Sequence, residues 1–166
     1  MKRSDIYKAL RDRANSELDY LKFVDLQKGQ MQNEVQNYPV PLPALFIELG
    51  DFRFSNLGES AQIGDGIVSL YLYVNSGSDT FSTSTSENTS LDILDKFDDI
   101  YQAFEGLSID KLTPLNRLAE YKPQYGKKYI LFRVDFSTAV DDQKVIERNT
   151  VAKPEPDIAT TFKFKS

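Results

Sequence analysis

The stretch YPVPLPALFIELGDFRF, residues 38–54, sets the fold. Pro39, Pro41 and Pro43 fix φ near the polyproline II value. They also push Val40 and Leu42, each preceding a proline, away from helix. None of the three can donate to a sheet ladder. The sequence therefore predicts an extended, unpaired lead-in over 38–43. A long strand follows, with Leu45, Ile47 and Leu49 on one face, and GDFRF continues it.

Downstream, IVSLYLYV (67–74) alternates cleanly. Val68, Leu70, Leu72 and Val74 face one way, and Ile67, Ser69, Tyr71 and Tyr73 the other. Residues 44–54 and 67–74 are expected to be antiparallel neighbours. The segment between them, SNLGESAQIGDG, reads as a ragged hairpin tip, with Asp65–Gly66 as its turn signal. A third strand, KKYILFRVDFSTAV, sets Ile130, Phe132, Val134 and Phe136 on one face. PLNRLAEY reads as a strand or an irregular edge segment, and KFVDLQ (22–27) as short and extended.

Two helices are expected to cover this sheet. Ser4 is the natural cap of the first, with Asp5 in its first turn. Ile6, Leu10, Ala14, Leu18 and Leu21 then form one apolar stripe, which predicts a helix over about 4–19. The second begins near Thr89 and carries Ile93, Phe97, Ile100 and Phe104 at helical spacing, with Gly106 as its stop. Between strand and helix, the Ser/Thr-rich 75–90 reads as a mobile loop. The result is an α+β fold, a mainly antiparallel sheet with two helices packed on one face, or a two-layer sandwich. Residues 1–140 form a single domain, and 141–166 a C-terminal extension or arm. In that arm Asp141 and Asp142 read as turn formers and KPEP (153–156) as a linker. IATTFKFK (158–165) alternates again.

Composition narrows the chemistry. The 166 residues contain neither His nor Cys. That removes Ser–His and Cys–His catalysis, thiolate metal sites and the commonest general base. Net charge is -5, which disfavours sequence-independent gripping of DNA. The N-terminus lacks a signal-peptide core, and no run approaches the ~18 apolar residues of a membrane span. The chain is expected to be soluble and intracellular.

Four carboxylates, Asp92, Asp95, Asp98 and Asp99, crowd the second helix. A hard cation would suit them, but the solvated face of an amphipathic helix reads the same way. No spacing among Glu48, Asp51 and Asp135 demands a shared acid–base cleft. The sequence offers no catalytic, cofactor-binding or metal residues. NTS at 88–90 fits a glycosylation acceptor only by chance. More telling are apolar and aromatic side chains away from the core face. Tyr71, Tyr73, Tyr129 and Leu131 sit on the outer sheet face, and Phe162 and Phe164 on one side of the arm. These six are the candidate subunit interface.

The order of elements resembles that of the tail terminator, or tail completion, proteins of long-tailed bacteriophages and prophages. The likeness spans roughly 1–138. It runs through SDIYKALRDRANSEL, the proline-led PLPALFIEL, GIVSLYLYV, the crossing helix SLDILDKFDDIYQAFEGL and YILFRVDFSTAV. The family has no catalytic residues to carry over. The resemblance implies a homo-oligomeric ring, hexameric in the family, at the head–tail junction of a virion. It would be assembled in the bacterial host cytoplasm and contact tail-tube and head-connector proteins. An acidic ring suits a lumen that passes DNA. Residues 141–166 have no counterpart in the family. The alternatives are a carboxylate-based or metal-dependent enzyme and a monomeric protein-binding domain.

Overall fold

The computed structural model describes residues 2–31, 40–56, 62–76, 87–126 and 128–142. Within these, two helices and five strands follow the order α1 (Arg3–Glu17), β1 (Phe23–Leu26), β2 (Ala44–Asn56), β3 (Gln62–Asn75), α2 (Glu87–Phe104), β4 (Asn116–Tyr125) and β5 (Tyr129–Asp142). The strands form one sheet in the order β1-β2-β3-β5-β4. Only the β1–β2 pair is parallel. The expected α+β sandwich is the architecture found.

The core face matches the alternation of the sequence. Leu45, Ile47, Val68, Leu70, Leu72, Val74, Ile130, Phe132, Val134 and Phe136 are buried in one cluster. Ile6, Leu10, Ala14 and Leu18 of the α1 stripe join them, as do Ile100, Ala103 and Phe104 of α2. Phe97 stacks on Phe132 at 4.9 Å between ring centroids. The helices are also tied to each other and to the α1–β1 loop. The Arg13 guanidinium donates to the Ala103 carbonyl at 2.8 Å, and the Tyr20 hydroxyl to the Lys96 carbonyl at 2.7 Å.

The two helix starts differ from the sequence reading. α1 opens at Arg3, and Lys2 is its N-cap without a side-chain hydrogen bond. The Lys2 carbonyl already accepts from the amides of Asp5 and Ile6, so Ser4 lies inside the first turn and cannot cap it. α2 opens at Glu87 rather than near Thr89. Gly106 does end α2, with φ 71°. Of the Ser/Thr-rich stretch, 77–86 lies outside the described residues.

Two turn signals are overridden by pairing. Asp65–Gly66 is not a turn. It sits inside β3, with Asp65 opposite Arg53 and Ala139, and Gly66 opposite Phe52 and Thr138. The glycine is there for close approach, since a Cβ on Gly66 would lie 2.3 Å from the Phe52 ring. A bulge between Leu49 and Phe52 adds the residue that turns Phe52 and Phe54 back to the helix side. Likewise Asp141 and Asp142 do not form a turn. β5 runs on to Asp142 because β3 offers Ile63 and Gln62 as ladder partners. β5 thus passes the expected 140 boundary by two residues. Most of the expected arm, 143–166, lies outside the described residues.

Gly66→Ala should cost about 1–3 kcal/mol through overpacking against Phe52. Gly66→Ala combined with Phe52→Ala should recover part of that loss. Urea denaturation of the single and double variants measures it, and a neutral Gly66→Ala would show that the ring yields freely.

Of the proline lead-in, 38–39 lies outside the described residues; over 40–43 β2 has not yet begun, but the Pro43 carbonyl already accepts from the Lys22 amide at 2.9 Å, so the lead-in is not wholly unpaired. It also does something the sequence did not disclose. Val40 and Leu42 pack on the outer sheet face in a second cluster, around Ala44, Phe46 and Tyr73. Phe23, Met31, Tyr129 and Leu131 complete it. Residues 40–43 therefore roof part of the face opposite the helices. A pre-set φ lowers the entropy lost in holding them there.

Candidate functional site

Away from that roof the outer face is largely polar. Its centre is built by register. Tyr71 of β3 pairs with Arg133 of β5, and Arg133 pairs with Tyr121 of β4. Three side chains thus stand abreast on adjacent strands. The Arg133 guanidinium lies 5.2 Å from the Tyr71 ring centroid and 4.5 Å from that of Tyr121, within cation–π range of both. One register step along, Ser69 pairs with Asp135. Arg133 Nε and an Nη each donate to the Asp135 carboxylate at 2.9 Å, and the Tyr121 hydroxyl donates to it at 2.9 Å. Tyr71 donates to Glu48 at 2.5 Å.

Asp135 is only 2% exposed although it faces away from the helices. Arg133, Ser69 and Tyr121 are its hydrogen-bond donors. Burial alone would raise its carboxyl; those three hydrogen bonds and the Arg133 charge outweigh burial and hold it below the ordinary value. The Tyr71 phenol is pushed up, first by burial and then by Glu48. The Tyr121 phenol is raised mainly by its bond to Asp135. Each of these groups therefore keeps one protonation state around neutral pH. The cluster is a rigid charge and ring array suited to recognition, with aromatic and Arg side chains of the kind that dominate protein interfaces.

Beside it lies a trough of about 750 Å³, bordered by Glu48, Asp51, Arg53, Asp65 and Arg133. Small residues, Gly50, Ser69, Ser137 and Ala139, make its floor low. No group of three or more potential metal-ligating side chains converges among the described residues. Asp92, Asp95, Asp98 and Asp99 are all exposed on α2, and the Asp92 carboxylate takes an ion pair from Lys96.

Of the six residues singled out from the sequence, four come together. Tyr71, Tyr73, Tyr129 and Leu131 all belong to the second cluster. Their accessibility differs from the expectation. Tyr73 is 1% exposed, covered by its own chain rather than open to a partner. Tyr129 makes an edge contact with Tyr73 at 5.1 Å and donates to the Met31 carbonyl at 3.3 Å, so it serves the roof. Leu131 is half-buried there, and Tyr71 lies where the roof meets the Arg133 array. Phe162 and Phe164 lie outside the described residues.

The sequence reading missed Arg133 and Tyr121 as members of the site. The pattern Arg133–Val134–Asp135 on a strand was the available signal, since i and i+2 share a face. Their meeting with Tyr71 and Tyr121 depends on strand order, which no local pattern encodes. Searches of protein-family models and of curated proteins find no match for the chain.

Proposed function

We propose that this chain is a ring-forming structural subunit of a phage-like particle, of the tail terminator or tail completion kind, working at a head–tail junction. The observation that carries the self-assembly reading is the distribution of exposed apolar surface. Seven large hydrophobic side chains are exposed among the described residues, and four of them besides Tyr121, which already serves Asp135, lie on α2 and the edge strand β4: Leu91, Leu94, Leu118 and Tyr125. A monomer gains nothing by gathering them at one edge, whereas a subunit interface does. The order of the elements and the ordered array on the outer face support the same reading. Partners under this proposal are further copies of the chain, a tail-tube protein and a head-connector protein.

Sedimentation velocity over a wide concentration range tests it. The expected result is a closed oligomer of several copies. A monomer at every concentration, with or without a tail-tube protein, would overturn it and favour a monomeric protein-binding domain that uses the outer-face trough.

A further inference from the structure

The apolar edge has a helix side with a specific shape. Phe104 lies against Phe136 and Phe97 against Phe132. α2 therefore runs over β5 toward its Ile130 end as the helix is followed back to its start. On β4, Arg117 places its guanidinium 3.7 Å from the Tyr101 ring centroid, so Tyr101 marks the flank of α2 that faces β4. Leu94 is seven residues earlier, two turns back on that same flank. Tyr125 pairs with Ile130 and so stands at the level of Leu94, on the helix side. Tyr125 is 72% exposed, Leu94 49% and Leu91 39%. Asp95 and Asp98 are exposed on the same helix.

A partner for this flank must bring apolar side chains with cationic ones beside them. The chain itself contains such a segment. Residues 158–165, IATTFKFK, interleave Phe162 and Phe164 with Lys163 and Lys165. They belong to the 24 residues after Asp142, a length that spans at most about 80 Å when extended. The arm leaves at the end of β5 remote from Tyr125, about 40 Å away at strand rise. It would have to double back along β5 to reach its own flank, and under the ring reading a second copy offers the same flank.

We infer that the α2–β4 flank receives the C-terminal segment 158–165 of a second copy. This deepens the ring reading and rests on it. Phe162 and Phe164 fill the gap among Leu91, Leu94 and Tyr125. Lys163 and Lys165 meet the carboxylates of α2. Contact is made by side chains rather than by an added strand. β4 carries two bulges and Pro123, which spoil its free edge as a ladder template.

Full-length Tyr125→p-benzoylphenylalanine tests this. The site is exposed and already aromatic, so the fold should persist, and a melting curve checks that it does. Irradiation of the assembled protein is expected to give a covalent ladder on a denaturing gel, joined through 158–165 by mass spectrometry. Adding Phe162→Ser and Phe164→Ser should abolish the ladder. A monomer-sized product linked to its own tail overturns the second-copy docking. A ladder joined elsewhere, or no link in a protein that still sediments as an oligomer, overturns the docking and leaves the ring reading standing. A protein that sediments only as a monomer ends both.

Discussion

Phe132→Ala is expected to destabilise the fold by about 3–5 kcal/mol, the range for removing a large aromatic from a close-packed core. Phe132 is 1% exposed and lies in the core cluster that joins the sheet to both helices. Its ring stacks on Phe97 of α2 with an interplanar angle of 25°. The substitution therefore removes burial and a ring pair at once. Chemical denaturation of wild type and variant measures it. A loss no greater than that of an exposed control such as Lys8→Ala would mean that α2 does not rest on β5 as described.

Asp135→Ala is expected to cost about 2–3 kcal/mol. It strips the acceptor from Arg133, Ser69 and Tyr121. Donors left without a partner in a covered site are costly. The Arg133 side chain is 36% exposed, which keeps the cost below that of a fully buried orphan charge. Removing both partners, with Arg133→Met in the Asp135→Ala background, should recover part of the loss, and a double-mutant cycle isolates the coupling. Additive costs would show that the pair contributes no coupling.

The same carboxylate sets a pH dependence. Its folded value lies below the ordinary one of about 3.9. The native state therefore binds the proton less readily than the unfolded chain. This contribution is complete above the unfolded value and is lost as pH falls through the lower folded value. Stability should decline from about pH 4 downward, and Asp135→Asn should remove that part of the decline. An acid limb unchanged in Asp135→Asn would assign the effect to other carboxylates.

The helix-side face was legible because it is periodic. Ile6, Leu10 and Ala14 repeat at helical spacing, and Val68, Leu70, Leu72 and Val74 at strand spacing, and the same residues are buried together. Hydrophobic burial is a property of each element's own pattern, so an isolated segment carries its information. Gly106 could also be read locally, since a positive φ suits glycine at a helix end. The outer face was legible only as a parity. Tyr71, Tyr73, Tyr129 and Leu131 were assigned to the right side of the sheet, but Tyr73 turned out to be roofed by Val40, Leu42 and Met31. Those residues stand more than thirty positions away in sequence, and their own neighbourhood gives no sign of what they cover.

By itself the sequence determined the two layers, the antiparallel pairing of β2 with β3 and the residues that fill the main core, because alternation and helical spacing state which side of an element avoids water. Tertiary structure alone decided the rest. Ladder partners in β2 and β5 turned Asp65–Gly66 from a turn into strand, and partners in β3 did the same for Asp141–Asp142, since ladder hydrogen bonds outweigh a local turn preference. Strand order, with β5 between β3 and β4, set Arg133 between Tyr71 and Tyr121 and buried Asp135 beneath them. That array exists only across three strands, so no single stretch of chain contains it.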